Sequence, residues 1–358
     1  MTYKIKRIVS VLCLVAALFS AALLPTSGHC EKLRFVFLAD SRGDSLTEPI
    51  DTPVLNAIIA QIKNLSPQPA FVVYGGDMAY RGCIDGTYTF QTFKDLFKPL
   101  TKDGKIPLYT AIGNHELYNQ HSDLGFFLEN QKQYQKVFTE NPDNDLTIDY
   151  KRLVYSFESP GGDAFFAVLD PYYLTADDPT PHLGGTIDSI QLDWLKAQVA
   201  RTKATHKFLF THAPYYYVTS GGEGGSPDTT YTNLWSILDN NLFDTYFCAH
   251  VHLFSRKSID SSIAPNPQLT PPVQWRNNVV QVLNGTCGAP VENVTITVNP
   301  TLWHVSKAAD SYYFSVVDIS GSQVTVTSYR GNTGSYKVFD SFTINKSSPA
   351  GRNLLLLD

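Results

Sequence analysis

The chain has 358 residues, of which 43% are hydrophobic, 13% aromatic and 17% charged, and its formal net charge is −5. This composition is typical of a folded globular protein and excludes a chain that is disordered over most of its length. A net acidic chain is also a poor nonspecific binder of nucleic acid, so we predict no specific nucleic-acid binding.

The first 30 residues have the layout of a secretory signal peptide. A basic start, residues 1–7, precedes an apolar run at 8–24, and small residues follow. The alternative is a retained membrane anchor, because 17 such residues are close to the shortest stretch that spans a bilayer. We predict cleavage, and therefore export to the periplasm or the extracellular (secreted) space with no stable membrane span. Loss of residues 1–30 would change the net charge from −5 to −8.

From residue 31 onward, short apolar runs alternate with longer amphipathic stretches. Apolar residues that recur at a helical period distinguish the helices from the strands. Strands are predicted at 33–39, 70–74, 106–112, 153–157, 164–169, 207–211 and 244–249, and helices at 53–65, 90–100, 125–138, 189–201 and 231–238. This alternation predicts a mixed α/β core.

The pattern changes in the last quarter of the chain. The segments 279–283, 312–319, 323–329 and 336–344 alternate apolar and polar residues, and short Gly-containing turns separate the last three. Period-two alternation predicts an antiparallel meander built from these segments. We therefore expect one domain at 31–346, followed by a tail at 347–358.

Five of the predicted strands are followed directly by side chains that commonly bind metals. These side chains belong to Asp40, Asp77, Asn114, His212, His250 and His252. In sheets built from β-α units, ligands gather beyond the carboxyl ends of the strands. Carboxylate, amide oxygen and imidazole together suit Zn²⁺, Mn²⁺ or Fe rather than Ca²⁺. The sequence therefore predicts a metal site at one edge of the sheets.

The same residues carry a resemblance to a known family. The ordered set resembles the motifs of the calcineurin-like metallophosphoesterase superfamily: Asp40, Gly76-Asp77, Gly113-Asn114-His115-Glu116, His212 and His250-Val251-His252. The resemblance implies an α/β (α+β) fold with two mixed β-sheets packed as a sandwich and flanked by helices.

The resemblance also implies a dinuclear site that holds two metal ions, drawn from Fe, Zn and Mn. Asp77 would bridge the ions, and the remaining candidates would divide between them: Asp40 and His252 on one ion, Asn114, His212 and His250 on the other. Ions about 3.5–4 Å apart activate a water for in-line attack on a phosphate ester. His115 would then protonate the leaving alkoxide, with Glu116 holding its orientation.

One position departs from the family's first motif, which is usually Asp-X-His. Here the motif is Asp40-Ser41-Arg42, and a guanidinium cannot bind a metal. Arg42 either binds a substrate phosphate oxygen, beside Asn114, or forms an ion pair with a neighbouring carboxylate. The sequence leaves both roles open.

A tyrosine is the candidate to replace the missing ligand. The segment Gly76-Asp77-Met78-Ala79-Tyr80 is similar to the Gly-Asp-X-X-Tyr motif of purple acid phosphatases, which implies that Tyr80 binds a metal. A phenol has a pKa of about 10, so ligation near neutral pH favours Fe³⁺. Alternatively, Tyr80 packs beside the site with its hydroxyl hydrogen-bonded.

Three further features have less specific interpretations. His206 lies among Lys and Thr residues and is expected to be solvated. His182 lies in a loop that could reach a substrate, and Tyr215, Tyr216 and Tyr217 either line a substrate pocket or form a packed rim.

The predicted function is hydrolysis of phosphomonoesters or phosphodiesters outside the cytoplasm, with a phosphate ester as the partner. A second hypothesis is a degenerate relative that binds a phosphate ligand without turnover. A third is a structural protein whose metals only stabilise the fold. The sequence does not determine the substrate, the metals or the oligomeric state.

Overall fold

The computed structural model describes residues 32–81, 88–118, 124–175, 182, 185–217, 229–262, 274–291, 304–306, 311–346 and 353–356. The predicted signal peptide lies outside these ranges. Within them, no helix has the length and apolarity needed to cross a membrane.

Strands and helices alternate through most of the chain. The strands are β1 (Leu33–Leu38), β2 (Phe71–Tyr74), β3 (Leu108–Thr110), β4 (Tyr155–Glu158), β5 (Ala164–Val168), β6 (His206–Phe210), β7 (Thr245–Cys248), β8 (Phe254–Ile259), β9 (Val279–Asn284), β10 (His304–Ser306), β11 (Tyr312–Ser320), β12 (Gln323–Gly331), β13 (Tyr336–Asn345) and β14 (Asn353–Leu356). The helices are α1 (Thr52–Lys63), α2 (Tyr88–Leu96), α3 (Lys98–Thr101), α4 (Asn114–Leu117), α5 (Leu124–Val137), α6 (Ser189–Arg201) and α7 (Thr229–Asn240).

The strands form two seven-stranded sheets, and both are mixed. The first has the order β14-β13-β12-β11-β1-β2-β3, and the second has the order β10-β8-β9-β7-β6-β5-β4. In the first sheet β1, β2 and β3 are parallel, whereas in the second β5, β6, β7 and β9 are parallel. The predicted fold, two mixed sheets flanked by helices, is confirmed.

Alternation along β1 explains how the sheets and helices pack. Phe37 points between the sheets, where its ring lies 5.0 Å from that of Phe247 on β7. Val36 and Leu38 point to the other side and join a separate apolar layer that includes Ile58 of α1. Each fully buried side chain of this size stabilises the fold by roughly 1.5–3 kcal/mol. The strand is therefore buried on both faces, and its carboxyl end is held firmly.

Helix α1 begins where the loop after β1 ends. The side chain of Asp51 accepts a hydrogen bond from the Val54 amide at 3.1 Å, and Pro53 occupies the first turn. This cap satisfies an amide that would otherwise lack a helical partner, a contribution of about 1 kcal/mol. The helix thus fixes the far end of the loop that carries Asp40 and Arg42.

One predicted pairing is wrong. The segment 279–283 does not join the meander; it forms β9, which lies between β7 and β8 in the second sheet. Its polar residue Gln281 is buried because its side chain exchanges two hydrogen bonds with the backbone of Tyr216. The alternation of apolar and polar residues at 279–283 therefore does not give this strand a face exposed to solvent. The other three segments form the antiparallel strands β11, β12 and β13, as predicted.

The prediction that His206 is solvated is also wrong. The side chain is fully buried, and its Nε2 donates to the carbonyl of Gly321 at 2.8 Å. Its Nδ1 lies 3.5 Å from a carboxylate oxygen of Asp244. These partners are distant in sequence, so the polar neighbours of His206 gave no sign of them. Within the predicted tail, Asn353–Leu356 pairs with β13.

Candidate metal centre

Six polar side chains lie just beyond the carboxyl ends of five strands. Asp40 follows β1, Asp77 follows β2, and Asn114 opens α4 directly after β3. In the second sheet His212 follows β6, and the pair His250 and His252 follows β7. The strands concerned are parallel within each sheet, which is why these ends lie at the same edge.

The side chains form two groups that share one carboxylate. Asp77, His212 and His250 make one group, and Asp40, Asp77 and His252 make the other; within each group the possible ligand atoms lie within 4.8 Å of one another. Asn114 belongs beside the first group, since its Oδ1 lies 3.2 Å from Nδ1 of His250. Asp77 therefore occupies the position of a carboxylate that could bridge two ions.

Backbone carbonyls set the orientation of two of the imidazoles. Nδ1 of His212 donates to the carbonyl of Gly75 at 2.8 Å, and Nδ1 of His252 donates to the carbonyl of Pro290 at 2.8 Å. With a proton on Nδ1, each Nε2 faces the carboxylates and is placed to bind a cation held between them, as in metal-binding histidines. Nε2 of His212 lies 3.3 Å from Asp77, and Nε2 of His252 lies 3.6 Å from Asp40.

The charges at the site fit bound cations. Both carboxylate oxygens of Asp40 are buried, and no described side chain donates a hydrogen bond to them. Burial raises the pKa of Asp40 well above its usual value, and the nearby charge of Asp77 adds to this effect. Although burial alone lowers the pKa of His212, the carboxylates of Asp77 and Asp40 raise it to about 9. Buried carboxylates without side-chain donors are costly, and divalent ions would compensate their charge.

The backbone around these residues is unusual. Asp40, Asp77 and His250 have φ angles of 59°, 55° and 74°, which non-glycine residues seldom adopt. Such conformations persist where surrounding structure enforces them, often at functional sites. Gly113 is required for a different reason, because a Cβ there would lie 2.3 Å from Oδ1 of Asp77.

His115 and Glu116 lie at the site, but not in the predicted relationship. Nδ1 of His115 bonds to the carbonyl of Tyr80 at 2.5 Å, and its Nε2 lies 4.0 Å from Asp77. The carboxylate of Glu116 instead accepts the amides of Asp77, Met78 and Gly113, each at 2.7 Å. The prediction that Glu116 orients His115 is therefore wrong; Glu116 holds together the loops that follow β2 and β3. Burial, with the charge of Asp77 second, raises the pKa of Glu116 to about 7.

The sequence profile of the calcineurin-like phosphoesterase family matches residues 33–254. The chain belongs to the calcineurin-like phosphoesterase family. The match contains all six candidate ligands together with His115 and Glu116. No curated protein matches the sequence significantly.

Solved structures of low sequence identity share the fold of this calcineurin-like phosphoesterase. The purple acid phosphatase PPD1 from yellow lupin (Lupinus luteus) has a TM-score of 0.63 and 17% identity over 90% of this chain, which spans 55% of the lupin chain. GAP50, described as the anchor in the inner membrane complex of Plasmodium, has a TM-score of 0.59 and 16% identity over 89% of this chain and 90% of its own. A dimetal phosphatase from Danio rerio has a TM-score of 0.52 and 13% identity over 86% of this chain and 98% of its own.

The structure places Arg42 at the edge of the site of this calcineurin-like phosphoesterase. Its Nε lies 4.0 Å from Oδ2 of Asp77, and 17% of its side chain is exposed. The guanidinium is thus close enough to a carboxylate for electrostatic attraction, and it also has access to solvent. This position is compatible with both roles that the sequence left open.

Tyr80 also lies beside the site. Its carbonyl receives the hydrogen bond from His115, its ring centroid lies 6.1 Å from that of His115, and the Arg81 guanidinium carbon lies 5.5 Å above its ring. These contacts describe the backbone and ring of Tyr80, so metal binding by its hydroxyl stays a prediction.

Sequence reasoning missed Tyr172. This residue is fully buried, its ring lies 5.8 Å from that of His212, and its hydroxyl lies 3.4 Å from Nδ1 of His250. Tyr172 follows shortly after β5, a strand parallel to β6. Its position just beyond the carboxyl end of a predicted strand could have marked it as a candidate site residue.

The looser aromatic candidates lie in packed positions. His182 stacks on Tyr173 with ring centroids 4.5 Å apart. Tyr215 is buried against Trp235, and the hydroxyl of Tyr216 accepts a hydrogen bond from the Trp275 indole at 2.8 Å. The sequence left open whether these tyrosines line a substrate pocket or form a packed rim, and the contacts of Tyr215 and Tyr216 are those of a packed rim.

Proposed function

We propose that the protein is a metal-dependent phosphoesterase that hydrolyses phosphomonoesters or phosphodiesters at a dinuclear centre. The observation that supports this most directly is the pair of ligand groups that share Asp77. The buried oxygens of Asp40 add to this support, since no described side chain donates a hydrogen bond to them. Two divalent ions bound there would supply an activated water and positive charge for the phosphoryl group.

The chain's own residues then have separate tasks. His115 presents Nε2 to the site while its Nδ1 donates to the carbonyl of Tyr80. In its doubly protonated form His115 can therefore give the Nε2 proton to the leaving oxygen and is left as the neutral imidazole. Arg42 can bind a phosphate oxygen, because its guanidinium lies at the edge of the site and is partly exposed. Asn114, the first residue of α4, has its Oδ1 3.2 Å from Nδ1 of His250 and can bind either an ion or the substrate.

We also propose that residues 1–30 act as a signal peptide and that the enzyme works outside the cytoplasm. The basic start and apolar run of this segment support export. Expression of the full chain and N-terminal sequencing of the mature protein test this proposal. A mature protein that begins at residue 1 would contradict it.

A second candidate function is binding without turnover. Two observations favour it: Arg42 replaces the usual histidine of the first motif, and GAP50, a protein with this fold, is described as an anchor. The conventional candidate ligands Asp40, Asp77, Asn114, His212, His250 and His252 are nevertheless all present and converge. We therefore place the hydrolase first.

Turnover separates the two candidates. We expect the Mn²⁺-loaded protein to hydrolyse p-nitrophenyl phosphate or bis-p-nitrophenyl phosphate, and a chelated sample to be inactive. Asp77→Asn should reduce the rate to that of the chelated sample, because Asp77 belongs to both ligand groups. Asp193→Asn is the control, since this carboxylate is 74% exposed on α6 and should leave the rate unchanged. Metal binding without turnover of a wider panel of phosphate esters would support the binding protein instead.

A further inference from the structure

A chain of buried hydrogen bonds links the two loops that carry Asp40 and Asp77. The hydroxyl of Tyr74, the last residue of β2, accepts the amide of Ser41 at 2.7 Å and donates to Oγ of Ser41 at 2.6 Å. Oγ of Ser41 then donates to the carbonyl of Met78 at 3.0 Å. Tyr74, Ser41 and Met78 are all fully buried. The chain therefore connects the residue after Asp40 with the residue after Asp77.

These loops need such a link because of the conformations and charges that they hold. Asp40 and Asp77 both have positive φ, and each carboxylate lies in the field of the other. Two backbone hydrogen bonds already join the loops, from the Asp40 amide to the Gly76 carbonyl and from the Arg42 amide to the Asp77 carbonyl. Ser41 lies between these two bonds. Its side chain and the Tyr74 hydroxyl hold the peptide that follows Asp40.

The two ligand groups should depend on this link to different degrees. Asp40 belongs to the group with Asp77 and His252, but not to the group with His212 and His250. The group of Asp40, Asp77 and His252 also lacks the histidine of the family's usual Asp-X-His motif, because Arg42 occupies that position. It therefore has fewer protein ligands to compensate for a misplaced Asp40.

We propose that Tyr74 and Ser41 are positioning residues that hold Asp40 at its distance from Asp77 and so set the ion affinity of the Asp40–Asp77–His252 group. This inference rests on the proposed dinuclear centre. It assigns no chemical step to Tyr74, whose hydroxyl acts through Ser41. Loss of a partner that orients a metal ligand typically costs 10- to 100-fold in metal affinity.

Calorimetric titration with Mn²⁺ tests the proposal. Wild-type protein should show two binding steps. The step that His252→Ala weakens belongs to the group of Asp40, Asp77 and His252, and the step that His250→Ala weakens belongs to the other group. Tyr74→Phe removes only the hydroxyl and should weaken the His252 step about 10- to 100-fold, while the His250 step changes little. Ser41→Ala should give the same pattern, and it keeps the proposal testable if Tyr74→Phe does not fold.

Tyr155→Phe is the matched control. Tyr155 is also a fully buried strand tyrosine, and its hydroxyl donates to the carbonyl of Thr110 at 2.9 Å. This variant loses a comparable buried hydrogen bond without touching Ser41, so both Mn²⁺ steps should stay at their wild-type affinity. A merely structural role for Tyr74 would lower the melting temperature of both tyrosine variants alike and leave the Mn²⁺ steps unchanged.

The outcomes separate this inference from the proposed function. Folded Tyr74→Phe and Ser41→Ala proteins with wild-type Mn²⁺ steps, or with both steps weakened equally, would overturn the inference. A wild-type protein that binds two ions yet hydrolyses no phosphate ester would overturn the proposed function and leave the inference standing. A wild-type protein that binds no Mn²⁺ would overturn both.

Discussion

Glu116 shows how one carboxylate can organise two loops. It accepts three backbone amides, from Asp77, Met78 and Gly113, and it is fully buried. A buried amide that loses its acceptor costs about 1–3 kcal/mol. The residue beside the predicted general acid His115 thus contributes mainly to the shape of the metal centre.

We predict that Glu116→Gln lowers the free energy of unfolding by about 2–4 kcal/mol, because glutamine offers one acceptor oxygen and turns an NH₂ group toward an amide. Urea unfolding of the metal-free protein measures the change. Glu129→Gln, on the exposed face of α5, is the control and should change stability by less than about 0.5 kcal/mol. Unchanged stability with a slower reaction would instead favour an effect of Glu116 on His115.

Asp170 is another buried carboxyl, and its set of hydrogen-bond partners is incomplete. Its Oδ1 accepts the Tyr172 amide at 2.8 Å, whereas its Oδ2 is buried without a partner among the described residues. Burial raises its pKa to about 7. Since the folded pKa is higher than the unfolded one, this group favours folding most when protonated, and that stability is lost as the pH rises toward and through 7.

Asp170→Asn should therefore stabilise the protein at pH 8.5 by roughly 1–3 kcal/mol and have little effect at pH 4.5, where aspartate is protonated in the folded state. The asparagine oxygen can keep the hydrogen bond from Tyr172. Melting temperatures at the two pH values, at one fixed metal concentration, measure this difference. An equal change at both pH values would mean that Asp170 is not buried as a titrating acid.

At the scale of secondary-structure elements, the sequence predicts the ligands better than the contacts that hold them. Each of the six conventional candidate ligands lies within a few residues of the end of an apolar run, so its position at a strand end can be read locally. The hydrogen-bond partners of Glu116 cannot be predicted from its neighbours in sequence. Helix α4 turns the Glu116 carboxylate away from His115 and toward the backbone amides of the loop after β2. The packing of Tyr172 against His212 likewise depends on which strands lie side by side.

The turn between β3 and α4 gives a sharp test of how closely these elements approach. In Gly113→Ala the new Cβ would lie 2.3 Å from Oδ1 of Asp77 and 2.6 Å from its amide nitrogen, so one of the loops must move. We predict a loss of about 1–3 kcal/mol in stability, typical of overpacking, and weaker binding at both ligand groups.

Gly161→Ala is the matched control for this substitution. The only described atom within 4 Å of a Cβ at that position is a carboxylate oxygen of Asp163, at 3.6 Å. Stability and Mn²⁺ binding should therefore stay close to those of the wild type. If Gly113→Ala bound Mn²⁺ as tightly as Gly161→Ala does, the loops after β2 and β3 would have more room than the structure indicates.

At the scale of the whole molecule, polar contacts join the two sheets at several points. Lys346, just after β13, lies 2.7 Å from Asp244 near the start of β7, and His206 of β6 reaches the turn between β11 and β12. Arg256 of β8 pairs with Asp340 of β13. Sequence patterns missed β8 because Arg256 and Lys257 interrupt its apolar residues, yet both are buried. A charged residue is compatible with a buried strand once a distant partner neutralises it.

Removal of one partner should cost far more stability in the Arg256–Asp340 pair than in a similar pair within one sheet. Its two hydrogen bonds measure 2.9 and 3.0 Å, and the side chains are only 10% and 5% exposed. The pair Arg34–Asp318 between β1 and β11 has equally short bonds of 2.7 and 2.9 Å, but its side chains are 18% and 40% exposed.

We predict that Asp340→Asn lowers the free energy of unfolding by about 3–5 kcal/mol, because it leaves the buried guanidinium of Arg256 without its counter-charge. Asp318→Asn should cost about 0–1 kcal/mol, since solvent screens the Arg34 that remains. Urea unfolding at low and high salt measures both effects, and salt should reduce only the smaller one. Equal losses in the two variants would show that solvent screens the charges at the junction of β8 and β13 as it does those of Arg34 and Asp318.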